Sequence, residues 1–167
     1  AIENARLLRD LAERDERHRR LIEASPSMVF ETDVTGAVVW ASQAYWDYTG
    51  LDPMDRDSYD WAQHRVIHPD DEPELQRRWN HALATGQPYE NEVRLRAADG
   101  TYRWFLNRLV AQRGPGGAIS GWVGTGTDIH DRVMAEDLMS EALDGEQEAR
   151  ALLDAILQAA PVALTVI

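Results

Sequence analysis

The chain has 167 residues, 44% hydrophobic and 28% charged, which excludes a wholly disordered polymer and leaves room for one ordinary domain with attachments. Cysteine is absent, so disulfides, thiolate metal sites, cysteine nucleophiles and cysteine-linked cofactors are excluded. The net charge is -12 and all 17 basic residues are arginine, a balance that nucleic acid would repel unless the arginines gathered on one face. No apolar run reaches the roughly 18 residues of a membrane span, and no basic-then-apolar start marks a signal peptide. A cytoplasmic setting, with no membrane in this segment, is the expectation.

The first element expected is a helix over residues 1–22, which contain no Gly or Pro and are rich in good helix formers. Ala1, Asn4, Leu8, Leu11, Asp15, His18 and Ile22 recur by threes and fours, a heptad seam interrupted by polar residues. An amphipathic helix folded back on its own domain gives the same pattern. All six Trp lie between positions 40 and 122, so the packed core belongs there.

Residues 28–33 and 37–41 flank Val34-Thr35-Gly36, the pattern of a hairpin. Gly50 and Pro53 break the stretch 42–66 into short helices. His68-Pro69-Asp70-Asp71 opens a helix through Leu75, Trp79 and Leu83 that stops at Thr85-Gly86, with the two Asp placed to cap it. In residues 89–96, Val93 and Leu95 face one way while Glu92, Arg94 and Arg96 face the other. Asp99-Gly100 turns the chain into a long strand over 101–112, Gly114-Pro115-Gly116-Gly117 turns it again, and 119–128 is the last strand. That order gives an α+β domain, a five-stranded antiparallel sheet with helices on one face. A second helix then spans 131–160, where eight acids meet two Arg. Its seam of Ala135, Leu138, Ala142, Gly145, Ala149, Leu152, Ile156 and Ala159 permits close helix approach but buries little area, so two coiled-coil-like helices flank the domain.

The middle of the chain resembles a PAS domain with its C-terminal PAC motif. The resemblance covers roughly residues 21–133 and rests on several pieces in one order: Phe30-Glu31-Thr32-Asp33 before a Gly turn, Tyr48-Thr49-Gly50 and Ile67-His68-Pro69-Asp70-Asp71. It continues through Tyr89-Glu90-Asn91-Glu92-Val93-Arg94, Asp99-Gly100-Thr101-Tyr102-Arg103-Trp104 and Gly124-Thr125-Gly126-Thr127-Asp128-Ile129. One position departs, His130 standing where the family has Thr. Residues 1–7 resemble the exit helix of a GAF domain, and residues 152–164 are similar to the entrance of a second PAS domain. The resemblance therefore implies a module cut from a multidomain bacterial sensor: a signalling helix over 1–22, a PAS/PAC domain over 23–130, a linker helix over 131–160 and the start of a following domain over 161–167. Such modules precede histidine kinase domains, as in two-component systems, or cyclic-dinucleotide domains, and neither output is present in this chain.

Function then divides into three readings. Acid–base catalysis could draw on His64, His68, Asp70, Asp71 and His81, but no spacing pairs a nucleophile with a base, and no metal site is expected. Signal relay and dimerisation through the flanking helices, as a parallel homodimer passing a change to a neighbouring domain, is the first reading. Sensing of haem or a small organic ligand in a pocket is the alternative, although no cofactor is required by the sequence. Flavin–cysteine and cysteine-linked photochemistry are excluded, and His81 is the haem ligand the long helix offers.

Strand alternation sets Phe30 with Thr32, Val38 with Trp40, and Val93 with Leu95. The resemblance implies that these line the concave face of the sheet, together with Asn107, Leu109, Trp122, Gly124 and Gly126. Asn107 is then a polar group on an apolar face, with glycines leaving room beside it. Tyr102, Trp104, Leu106 and Val110 alternate to the opposite face, which Leu8, Leu11 or Ile22 of the first helix could cover from the same chain or a partner. By the same resemblance, Asp128 and Ile129 form the junction to the exit helix. Asp128 is expected to bond an Arg of the first helix, such as Arg17, Arg19 or Arg20, or nearby Arg132.

Overall fold

The structure, a computed structural model, describes residues 2–55 and 66–159. The expected His64 and the start of a following domain at 161–167 lie outside the described residues. The chain divides into two units, one ending at Ile129 and one beginning at His130.

The first unit opens with helix α1 (Ile2–Glu23), followed by strands β1 (Met28–Thr32) and β2 (Val38–Ala41). Helix α2 (Gln43–Thr49) and helix α3 (Glu72–Thr85) come next, then strands β3 (Tyr89–Arg96), β4 (Tyr102–Arg113) and β5 (Ile119–Asp128). The five strands form one antiparallel sheet in the order β2-β1-β5-β4-β3, so the last strand pairs beside the first at the centre. The second unit is helix α4 (His130–Ala159), which has no buried residue.

Each joint has a local cause. The Asp33 carboxylate accepts from the backbone N–H groups of Thr35 and Ala37 and from the Thr35 hydroxyl, which closes the β1–β2 turn. Asp99 accepts in the same way from Thr101 to close β3–β4. Those bonds hold both carboxyls below the usual carboxylate range, the Thr side-chain bond contributing most in each case. Gly50 ends α2 at φ 68°, and a Cβ there would press on the Ala98 methyl at 2.6 Å, so left-handed backbone and close packing both demand glycine.

The sheet's inner face carries the core, built from Met28, Val38, Val93, Leu95, Phe105 and Trp122 against Tyr45, Trp46, Leu75 and Trp79 of the helices. The described side chains of α1 are exposed apart from a half-buried Ile22, and those of Leu8 and Leu11 lie outside the described ones. The outer face is partly covered by the chain itself. The Arg94 guanidinium lies 5.2 Å from the centre of the Trp104 ring, and the His68 ring packs edge-on against Tyr102 at 4.6 Å. Leu106 is half-buried, and Val110 stays 50% exposed, so an apolar patch remains at that end of β4.

One expectation fails inside a strand. Glu31 pairs with Trp40 but Thr32 pairs with Val38, so a bulge leaves Val39 unpaired and 55% exposed. The extra residue reverses the alternation. Val38 turns inward beside Thr32, and Trp40 turns outward beside Glu31.

Candidate functional site

A cavity of about 90 Å³ lies between the inner face of the sheet and the helices. Met28, Phe30 and Thr32 of β1 and Val38 of β2 form one wall. Leu95, Asn107 and Leu109 form the floor, and Tyr45, Leu75, Trp79 and Tyr89 close it from the helices and the far edge. Gly36, at φ 96° in the first hairpin, also lines it, and a Cβ there would stand 2.7 Å from the Trp79 indole nitrogen. The space is several times the roughly 30 Å³ share of one water and far below the roughly 300 Å³ at which drug-sized pockets begin.

Among the described residues, five buried polar atoms have no hydrogen-bond partner: Tyr45 Oη, Tyr89 Oη, Asn91 Oδ1, Asn107 Oδ1 and Trp122 Nε1. Three belong to residues that line the cavity. Asn91 sits directly across the β3–β4 ladder from Asn107, and Trp122 packs edge-on against the lining residue Trp79 at 5.1 Å. Burial pushes both tyrosine hydroxyls up to about 12, so each stays protonated. Leaving such atoms unpaired costs about 1–3 kcal/mol each, which makes their grouping around one space a chemical signature.

Of the residues expected to line a pocket, Phe30, Thr32, Val38, Leu95, Asn107 and Leu109 meet at the cavity. Val93 and Trp122 are fully buried in the core beside it without lining it. Gly126 lies under Asn107, where a Cβ would come within 3.2 Å of Oδ1, and Gly124 lies under the Phe30 ring, which a Cβ would overlap. Trp40 does not belong to the site, because the bulge carries it to the other face. Tyr89 and Asn91 were not among the residues expected at the pocket, although the alternation that sets Val93 and Leu95 inward continues back to both. Tyr45 carries no such signal, since a seven-residue helix gives too little periodicity to fix a face.

Among the described residues, the lining offers haem no histidine ligand: His81 is exposed on α3, and no described histidine lines the cavity. The other described acid–base candidates, His68, Asp70 and Asp71, make contacts within the scaffold. Asp71 occupies the N-cap position of α3 but makes no capping bond, contrary to the expectation. One intended donor is missing, because Pro73 in the first turn has no N–H. The carboxylate turns instead to β3, accepting from the Arg94 backbone N–H at 2.8 Å, from Nε at 3.0 Å and from Nη2 at 2.6 Å. Asp70 lies 3.6 Å from His68 Nδ1 and 3.7 Å from Arg94 Nη2. Among the described residues, no group of three or more His, Asp or Glu is placed to hold a metal ion, and no helix is long and apolar enough to cross a membrane.

The end of β5 is tied to β4. The Ile129 N–H donates to the Trp104 carbonyl at 2.9 Å, and Arg103 Nε donates to Asp128 Oδ2 at 2.7 Å. Asp128 thus takes as a partner an arginine of the neighbouring strand, one the sequence reading did not name. Arg17, Arg19 and Arg20 are exposed on α1, and Arg132 bonds Glu136 one turn on along α4.

The family pattern of the PAS fold matches residues 38–126, the stretch that runs from β2 into β5 and carries most of the cavity lining. The chain is 39% identical over 151 residues to the uncharacterized protein y4lL of Sinorhizobium fredii, covering 90% of this chain and 17% of that protein. It is 32% identical over 117 residues to the peroxide stress-activated histidine kinase mak1 of Schizosaccharomyces pombe, covering 70% of this chain and 7% of the kinase. The chain therefore spans less than a fifth of these curated relatives. A sensory box histidine kinase/response regulator from Burkholderia thailandensis shares the fold, with a TM-score of 0.59 and 18% identity over 79% of this chain and 98% of that one. A family match over more than half of the residues, laid on this sheet and this cavity, identifies the chain: it belongs to the PAS-fold family.

Proposed function

We propose that the chain is the input and relay segment of a longer cytoplasmic signalling protein, acting as a parallel homodimer and passing a change in the sheet to a downstream histidine kinase or cyclic-dinucleotide output domain. The observation that carries this is continuity. β5 backs the cavity through Trp122, Gly124 and Gly126, and one residue separates its end at Asp128 from the 30-residue α4. A shift of β5 would pass towards α4 through the backbone at Ile129, whose N–H donates to the Trp104 carbonyl. The relatives support a kinase output, since a histidine kinase is among them.

The junction bond is weak enough to switch. Asp128 and Arg103 are 40% and 36% exposed, which places the pair at about 0.5–1 kcal/mol. Asp128→Ala should therefore leave the fold intact and move the output of a kinase fused after α4 by about two- to fivefold. An unchanged output from a folded variant would overturn the relay. The dimer draws its support from α4, where Leu138, Leu152 and Ile156 of the seam are 67%, 64% and 56% exposed. Leu152→Glu with Ile156→Glu should weaken association at least a hundredfold (about 2.7 kcal/mol) in light scattering across a dilution series. A dimer indifferent to both charges would place the interface elsewhere.

A second reading, that the cavity binds a small molecule as the stimulus, is favoured by the unpartnered polar atoms around it. It supplies the relay with an input instead of competing with it.

A further inference from the structure

We propose that the cavity selects a small neutral molecule, an apolar body bearing one hydroxyl group that both donates to the Asn107 amide oxygen and accepts from a tyrosine hydroxyl. This rests on the ligand-sensing function proposed for the cavity, and names the chemistry that the site would read.

Three features converge on that class. First, the unpartnered atoms are of both kinds: Asn107 and Asn91 offer acceptors, while the Tyr45 and Tyr89 hydroxyls and the Trp122 indole offer donors. A pure hydrocarbon would leave all of them unpaired, and a pure acceptor would leave the amide oxygens unpaired. Second, no charged side chain among the described residues lines the space. The tyrosines stay protonated because burial raises them to about 12, so an ionic ligand would shed its hydration with no counter-charge to receive it. Third, the rest of the lining is aliphatic and aromatic, and at about 90 Å³ it suits one small ring or a short branched chain. Asn107 is 93% buried, its side-chain oxygen poised over Gly126, so its amide is held at the floor by the sheet and not by a mobile loop.

Phenol, toluene and benzoate test the assignment, being rings of similar size with a neutral hydroxyl, no polar group and a charge. Each is titrated into the full chain, with tryptophan fluorescence and the thermal midpoint as readouts, since Trp79 lines the cavity and Trp122 packs on it. Phenol should saturate and raise the midpoint, with an affinity at least tenfold above that of toluene, and benzoate should leave both readouts unchanged. Asn107→Leu, close in volume, should bring phenol and toluene to equal affinity while the unliganded midpoint holds or rises, because an unpaired buried acceptor is gone. Toluene or benzoate binding as tightly as phenol overturns the neutral, polar class and leaves ligand sensing standing. If no probe moves either readout, ligand sensing in this cavity falls as well, the polar atoms then being served by water.

Discussion

Trp122→Ala should destabilise the domain by about 3 kcal/mol, the low end of the cost of truncating a buried aromatic residue. Trp122 is 0% exposed on the central strand β5 and packs edge-on against Trp79 at 5.1 Å, which in turn meets Tyr89 at 6.0 Å. Its removal takes away one side of that aromatic stack and merges a new void with the adjacent cavity, so the loss includes both transfer and cavity terms. The low end applies because the Trp122 indole N–H has no partner, and deleting it relieves a penalty of about 1–3 kcal/mol. Trp122→Phe separates the two effects, keeping a ring while removing the N–H, and should cost about 1 kcal/mol. Urea midpoints with unchanged slopes measure both. An alanine variant within 1 kcal/mol of the parent would show that the stack contributes little and that the sheet is held elsewhere.

Strand positions were legible from sequence because alternation and turn chemistry agreed. Asp33-Val34-Thr35-Gly36 and Asp99-Gly100-Thr101 mark the turns that the Asp carboxylates close, and β3, β4 and β5 fall within a residue of their expected limits. The facing of Asn107 and Leu109 came from the resemblance to the PAS family, and both line the cavity. Trp40 was misplaced for the reason that makes alternation fragile: one bulged residue, Val39, reverses the faces, and nothing in a run of small and apolar residues announces it. Arg94 was placed only on the face opposite Val93 and Leu95. Its bond to Asp71 joins residues 23 apart in sequence, and no local pattern encodes such a pairing. The bond of Asp128 to Arg103 went unnamed for the same reason, since Arg103 is a cross-strand neighbour only once the register of β4 and β5 is known.

That long-range bond makes the other large effect. Asp71→Ala should lower stability by about 2–3 kcal/mol at pH 7, because one carboxylate accepts three hydrogen bonds from Arg94 and is only 16% exposed. It clips the start of α3 to the edge strand, and α3 supplies Leu75 and Trp79 to the cavity. The loss is therefore greater than for the exposed pairs of Glu74 with Arg77 and Arg78, which lie along one helix and join no elements. Burial by itself would raise the Asp71 carboxyl, but the hydrogen bonds and charge of Arg94 outweigh it and hold the group below its ordinary 3.8. A carboxylate depressed on folding contributes stability that is fully present above the unfolded value and is lost as pH falls through the folded one. The gap between parent and Asp71→Ala should stay constant above about pH 5 and narrow below 3.8 as the folded carboxyl takes its proton. Asp33, Asp99 and Glu74 are also depressed, Glu74 to about 2, but they titrate alike in both proteins and cancel in the difference. Paired urea titrations at pH 7 and pH 3 measure the gap. If it is as wide at pH 3 as at pH 7, the ionised carboxylate is not what ties α3 to the sheet, and the loss at Asp71 comes from the helix start alone.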